Sequence, residues 1–467
     1  MRAVLVAVAI LLTALEVSAQ DRTPSEFFDG LRAANDKAPL RALITAMPKG
    51  ADLHSHLSGA IPVDAALSVA IRNDYWVAFD AQDGTPLRLY RPGRNPELDR
   101  ACESEICERL ANLTVMQRDT LVESLLIKPN DATRGYASGF VGFEEVFARL
   151  DELTDNTDMM PQLLEEVMDE ASRHGVLFLE LRVNPLGRRN STGDLIRSED
   201  LLSRLSAAAE RKTRSLTEAG QVPTTARFFV AFSKGSAERS GGPTSFGEIA
   251  CSPDCPSRLH QGYYLAKQLP GAVGIDLYGL PETYIVDRDY LAQALAPLRA
   301  LHGDVPISLH AGETRDQSWA GIDDALSAGV QRLGHGFNLA GRSAASAAVC
   351  AGNVHIETSL TSNLLLGLVD DDDLSNHPFP TFFRREICAD QDGWLSMSLN
   401  TDDAGVFGTT MSDEYFLAVT SFDLSWDELK RLARESLSAS FAPDPLKARL
   451  LSEWDRRIDE FEKTRMR

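Results

Sequence analysis

Beyond residue 15 the sequence has no apolar run approaching the roughly 18 to 20 residues that a membrane helix needs. It has no dense run of lysine and arginine either. Acidic residues outnumber basic ones, 68 to 47, for a formal net charge of −21. The first absence argues against a bundle of membrane spans. The second argues against DNA or RNA as a partner, because a chain of this charge repels a polyanion unless a basic patch is concentrated locally. Cysteine is sparse, at six residues. The zinc pattern His-x-Glu with a later Pro-Cys-x-x-Cys is missing, so cysteine is not expected to ligate a catalytic metal.

What is present begins at the N-terminus. Met1-Arg2 is weakly positive, Ala3 to Leu15 is apolar apart from Thr13, and Val17-Ser18-Ala19 offers the small-residue pattern read by signal peptidase. That apolar stretch is too short to span a bilayer. The expectation is a signal peptide over residues 1–19, an N-terminal extension over 20–46, and an exported protein, periplasmic or secreted, with no membrane attachment after cleavage. No twin-arginine pair occurs at this end, which predicts export unfolded and metal acquisition afterwards. An even number of cysteines suits an oxidising compartment. Cys102–Cys107 and Cys251–Cys255 are the expected local disulfides.

With 467 residues, 43% hydrophobic and 25% charged, the chain suits a soluble globular protein with a large core. Eight strand-like runs stand out: 51–57, 176–183, 226–232, 272–278, 306–310, 331–334, 354–358 and 395–400. The later ones are separated by segments with helical apolar spacing, 287–301, 321–330 and 342–352 among them. This rhythm predicts an α/β protein, a (β/α)8 TIM barrel over residues 47–467. The first gap, Leu57 to Val176, is far longer than an ordinary βα connection. It predicts a large helical insertion after strand 1, at about 72–150, with helices over 97–109 and 143–172. Such an insertion hangs over the C-terminal mouth of a barrel, as a lid, a specificity element or a structural addition. Residues 426–466 read as two amphipathic helices broken at Pro443-Asp444-Pro445.

Four motifs end strand-like runs: Asp52-Leu53-His54-Ser55-His56, His310-Ala311-Gly312-Glu313, Gly334-His335-Gly336 and Asn400-Thr401-Asp402-Asp403. In a strand, residues i and i+2 share a face, so His54 and His56 can converge on one metal. Taken alone, such a pair is as compatible with surface or core histidines. His310 on another strand supplies a third imidazole, and three nitrogens are a set that zinc favours. Glu313, as a loop carboxylate, would simply be solvated; in a dry pocket its raised proton affinity makes it a general acid. His335 lies between two glycines, compatible with a turn or with close approach of the backbone to a ligand. Two adjacent carboxylates, Asp402 and Asp403, need a metal or donor if both are buried.

Together with Gly274-Ile275-Asp276-Leu277-Tyr278-Gly279 and Thr361-Ser362-Asn363, these motifs stand in the order and at the spacing of the adenosine deaminase family, which the sequence resembles over residues 47–441. The family lies within the metal-dependent amidohydrolase superfamily, and the signal peptide, long insertion and cysteines look more like an exported branch of it. The resemblance implies one Zn2+ per chain held by His54, His56, His310 and Asp402 with a water, whose pKa zinc lowers towards ~7. It implies that His335 takes the water's proton or stabilises the hydroxide electrostatically, with Asp403 accepting a hydrogen bond from it. Glu313 would protonate N1 of a purine as C6 is attacked, Gly279 N–H would bind N3, and Asp403 would lie near N7. The implied activity is deamination of adenosine or 2′-deoxyadenosine to inosine, with release of ammonia.

Two departures from the family pattern occur, and the first bears on the substrate. Ser58 stands where the adenosine enzymes carry an acidic residue that addresses the sugar, and Ala404 replaces a proline after the Asp pair. Another 6-aminopurine nucleoside or nucleotide therefore stays open as substrate, with Ser58 at the sugar position. So does a non-catalytic exported binding protein of the same fold. A binuclear amidohydrolase would need a carboxylated lysine ending the fourth strand. Here that strand ends at Tyr278-Gly279.

Overall fold

The computed structural model describes residues 22–102, 104–127, 136–234, 257–279, 290–313, 320–341, 343–352, 354–388 and 394–466. The expected signal peptide and the expected Cys251–Cys255 bond lie outside these residues. Among the described residues eleven strands occur in chain order: β1 (Lys49–His56), β2 (Trp76–Phe79), β3 (Pro86–Tyr90), β4 (Ile106–Arg109), β5 (Val176–Val183), β6 (Thr225–Ser233), β7 (Ala272–Tyr278), β8 (Ser308–Ala311), β9 (Arg332–His335), β10 (His355–Thr358) and β11 (Met397–Leu399).

Eight of them make the barrel as two parallel four-stranded sheets, β1-β5-β6-β7 and β11-β10-β9-β8. Two further parallel bridges join the halves, Ile275 to Ile307 at one seam and Ser55 to Asp402 at the other. All eight coincide with the expected runs to within about two residues, the uncertainty intrinsic to element ends. Helices Ser198–Glu218, Arg258–Gln268, Tyr290–His302, Ala320–Ser327 and Ser343–Cys350 cover the connections.

The pleat sorts side chains between barrel interior and helix layer. In β5, Leu177, Leu179 and Leu181 alternate with Glu180 and Arg182, all buried. Glu180 and Arg182 turn inward, where Arg332 pairs with Glu180 at 2.6 Å and Arg182 with Glu357 at 2.7 Å. The barrel interior beneath the mouth is thus ionic, walled in by apolar layers.

The insertion is helical only in part. It also carries an antiparallel sheet of order β3-β2-β4. The expected helix over 97–109 stops at Ala101, and Ile106–Arg109 pairs along β2 instead. A Cys102–Cys107 disulfide closes the turn between them, as expected. The expected helix over 143–172 is two helices, Tyr136–Thr154 and Met160–Arg173. Between them Asn156 directs its amide at the Tyr75 hydroxyl (2.8 Å), and Pro161 opens the second helix, where it needs no N–H partner. The second described disulfide is Cys350–Cys388, a pairing not expected from local spacing. The closing pair, Trp426–Ala439 and Asp444–Arg465, is as expected. No helix among the described residues is long and apolar enough to cross a membrane.

Candidate metal centre

All four expected ligands meet at the C-terminal mouth of the barrel. His54 and His56 project from the end of β1, and Nε2 of each lies 3.1 Å from His310 Nε2 at the end of β8. Asp402 Oδ1 lies 3.5 Å from Nε2 of both β1 histidines. Asp402 gets there through the second barrel seam. Its N–H donates to His54 O at 2.8 Å, its carbonyl accepts from His56 N–H at 3.1 Å, and its φ of 59° turns the chain inward. Ser362 donates to the other carboxylate oxygen, Oδ2, at 2.8 Å.

Three imidazole nitrogens and one carboxylate oxygen, all within 4.8 Å of one another, are the donor set of a divalent transition ion. Burial pushes His310 down to about 4 and His56 well below its ordinary value. Both therefore offer neutral nitrogens at pH 7. The outer ring nitrogens are held by carboxylates: His54 Nδ1 lies 2.7 Å from Glu357 Oε2, and His310 Nδ1 lies 2.9 Å from Asp276 Oδ2. Such partners fix the tautomer that turns the Nε2 lone pair towards a metal. Arg182 ties both carboxylates together from below. Sequence reasoning assigned no role to Asp276, Glu357, Arg182 or Ser362. The available signal was an acid or arginine inside an otherwise apolar strand.

Glu313 is buried, with Oε1 3.6 Å from His335 Nε2. Burial, and then the negative Asp402, push its carboxyl up to about 8. Asp403 is raised well above the usual carboxylate range by burial, then by Asp402 and Glu313, and its Oδ1 has no protein partner. His335 sits at φ 63°. A Cβ on the preceding Gly334 would fall 2.7 Å from His54 Cε1, so the ring packing requires glycine there. The expected hydrogen bond between His335 and Asp403 is not formed. Nδ1 of His335 faces Asn363 at 3.2 Å, and Nε2 has no hydrogen-bond partner in the protein.

His56, His310, Glu313, Asp402 and Asp403 border one cavity of about 500 Å³ that also takes in Ser58 and Gly279. Gly279 has φ +110°, a conformation that glycine adopts readily. The insertion helix Tyr136–Thr154 forms the facing wall through Phe143, Phe147 and Asp151. Phe143 stacks on Phe407 across the mouth, ring centroids 5.6 Å apart. The insertion therefore shapes the cavity.

Residues 264–457 match the adenosine deaminase family model. The chain is 24% identical over 456 residues to adenosine deaminase 2 of Pongo abelii, covering 94% of this chain and 83% of that protein. It is 29% identical over 318 residues to N6-methyl-AMP deaminase of Danio rerio, 66% of this chain and 80% of that one. Among solved structures, an amidohydrolase of Burkhoderia ambifaria with bound Zn has the same fold, with a TM-score of 0.59 at 19% identity, over 92% of this chain and 96% of that one.

Proposed function

Since the chain belongs to the adenosine deaminase family, we propose that it is a zinc-dependent deaminase of a free purine nucleoside, adenosine or 2′-deoxyadenosine, releasing inosine or its deoxy analogue and ammonia. The observation that carries this reading is the convergence of four metal donors beside two buried carboxyls of raised proton affinity, in one cavity. One zinc per chain suits the donor set, and the Zn-containing relative supports it. Zinc at such a centre lowers the pKa of a water towards ~7.

The protein's own groups do the rest. Glu313, protonated at neutral pH, gives its proton to ring nitrogen N1 as C6 is attacked, so the ring takes up electrons without a buried negative charge. Asp403 in its acid form, which burial and then the neighbouring Asp402 and Glu313 favour, donates to N7. In this reading Gly279 N–H binds N3 and Ser58 takes the sugar side, and both residues line the cavity.

The cavity wall favours a nucleoside over a nucleotide. Glu144, Asp151 and Asp155 line it, and the one arginine there among the described residues, Arg188, is paired with Asp155. A 5′-phosphate would bring two more negative charges against three carboxyls. A nucleotide is the second reading, supported by Arg188 and by the likeness to N6-methyl-AMP deaminase. Adenosine, 2′-deoxyadenosine, AMP and N6-methyl-AMP given to the zinc-loaded protein, with ultraviolet absorbance and ammonia followed, separate the two. A kcat/KM higher for either nucleotide overturns the nucleoside assignment. Export belongs to the same proposal, supported by the Cys102–Cys107 and Cys350–Cys388 bonds, which persist in oxidising compartments.

A further inference from the structure

Behind His335 runs a chain of hydrogen bonds whose direction is fixed at its far end. Phe379 N–H, which can only donate, points at His377 Nδ1 at 3.0 Å. His377 is buried, and burial pushes it down to about 3, so it is neutral. With Nδ1 accepting, its proton sits on Nε2. That nitrogen lies 3.1 Å from Asn363 Oδ1, which is an acceptor. The Asn363 amide is therefore oriented, and its Nδ2 donates to His335 Nδ1 at 3.2 Å. A donor opposite Nδ1 excludes a proton there. The ring proton of His335 then sits on Nε2, the atom facing Glu313, with the ring edge-on to the metal ligand His54.

We infer that Asn363 and His377 are positioning residues that hold His335 as the Nε2–H tautomer, so that this ring serves as a hydrogen-bond donor to the attacking oxygen and not as the base that takes its proton. The inference rests on the deaminase reading for its chemistry, though not for the tautomer itself. The seat a base would need on Nε2 is already filled. Glu313, which lines the cavity and becomes a carboxylate once it has given its proton to N1, is then the acceptor for the proton leaving the water. Oxyanion-type stabilisation by a preset donor costs no reorganisation during reaction. The relay is the kind of outer support that sets which imidazole nitrogen is protonated.

The test is the tautomer, read by two-bond 1H–15N correlation of the zinc-loaded protein, with His335 assigned by its loss in His335→Ala. The wild type is expected to show Nε2–H at both His335 and His377. Asn363→Asp replaces the donor with an acceptor. It should move the His335 proton to Nδ1 and lower kcat about 100-fold, with KM changed less than about threefold and zinc content retained. His377→Leu, which leaves the Asn363 amide free to turn, should give mixed His335 tautomers and an intermediate loss. This variant carries the test if Asn363→Asp does not fold. His377→Gln keeps one acceptor and one donor, and should restore both tautomer and kcat to within about threefold. A wild-type His335 protonated on Nδ1, or an unchanged tautomer and kcat in both Asn363→Asp and His377→Leu, overturns the inference. A wild type with the Nε2–H tautomer but no turnover of any 6-aminopurine instead sinks the deaminase reading and leaves the relay standing.

Discussion

Glu357 Oε2 lies 2.7 Å from Nδ1 of His54, 303 residues away in sequence. The same carboxylate receives Arg182 at 2.7 Å and Arg332 at 2.6 Å, so one acid orients a metal ligand and bridges two buried arginines that Asp276 and Glu180 also pair. Glu357→Gln is expected to weaken zinc binding about 10- to 100-fold, the usual cost of losing an outer-ligand partner. It should also destabilise the fold by about 1–3 kcal/mol, because two buried guanidiniums, still paired with Asp276 and Glu180, lose a charge-assisted hydrogen-bond acceptor. Competition with a fluorescent chelator and urea unfolding measure the two. Ser308→Ala removes the hydroxyl that donates to Oε1 (2.8 Å) and accepts from Arg182 Nη2 (3.2 Å). It should cost about 1 kcal/mol and leave zinc in place. If Glu357→Gln holds zinc as tightly as the wild type, His54 is oriented by something else.

Glu313 and His310 separate chemistry from metal holding. Glu313→Gln should retain zinc and lose about 10²- to 10⁴-fold in kcat, whereas His310→Ala should lose zinc itself. The sign of the pH dependence follows from the direction of the shift. Burial and Asp402 raise Glu313 to about 8, so its acid form is complete at low pH and disappears as pH rises through that value. A divalent cation beside it pulls the value back down. The alkaline limb of kcat/KM should therefore fall at or below about pH 8 and be absent from the residual activity of Glu313→Gln. A limb unchanged in the variant would assign it to another group.

The barrel strands and metal ligands were legible because each is a local pattern, a β-run ending in His or Asp. What was not legible depends on partners remote in sequence. Asp276 and Glu357 look like interruptions in apolar runs until the pleat turns them inward beneath His310 and His54. Ile106–Arg109 continues a polar segment that reads as helix, and only the neighbouring β2 makes it a strand. Cys350 meets Cys388 because two connections pack together, which cysteine spacing does not reveal. The His377–Asn363–His335 chain was invisible for the same reason. His335 and Asn363 each stand in a motif, but nothing in the sequence joins them to one another or to His377.

Gly59 explains a close approach that the ligand motif alone does not. A Cβ there would sit 1.9 Å from Asp403 Oδ1 and 2.5 Å from its Cγ, so even alanine must push the carboxyl aside. No positive φ is required of Gly59, so the damage should be local to Asp403. Gly59→Ala is expected to keep zinc and lose most of its turnover, by about 10²-fold, as does removal of a preset donor. A near-normal kcat for Gly59→Ala would mean that Asp403 has room to move and does not address the purine.

The two described disulfides close very different loops, 38 residues for Cys350–Cys388 and five for Cys102–Cys107. In the chain-entropy account, stabilisation grows with the loop removed from the unfolded ensemble, giving about 4 kcal/mol for the long loop and about 2 for the short one. The long loop also contains Ser362, Asn363 and His377, so its cross-link bears on the residues around Asp402 and His335. Cys350→Ser with Cys388→Ser should lower the urea midpoint more than Cys102→Ser with Cys107→Ser, and should expose the backbone amides of Asn363 and His377 to faster hydrogen exchange at equal temperature. Equal midpoints for the two double variants, with no gain in exchange at Asn363, would show that the barrel holds this segment without its cross-link.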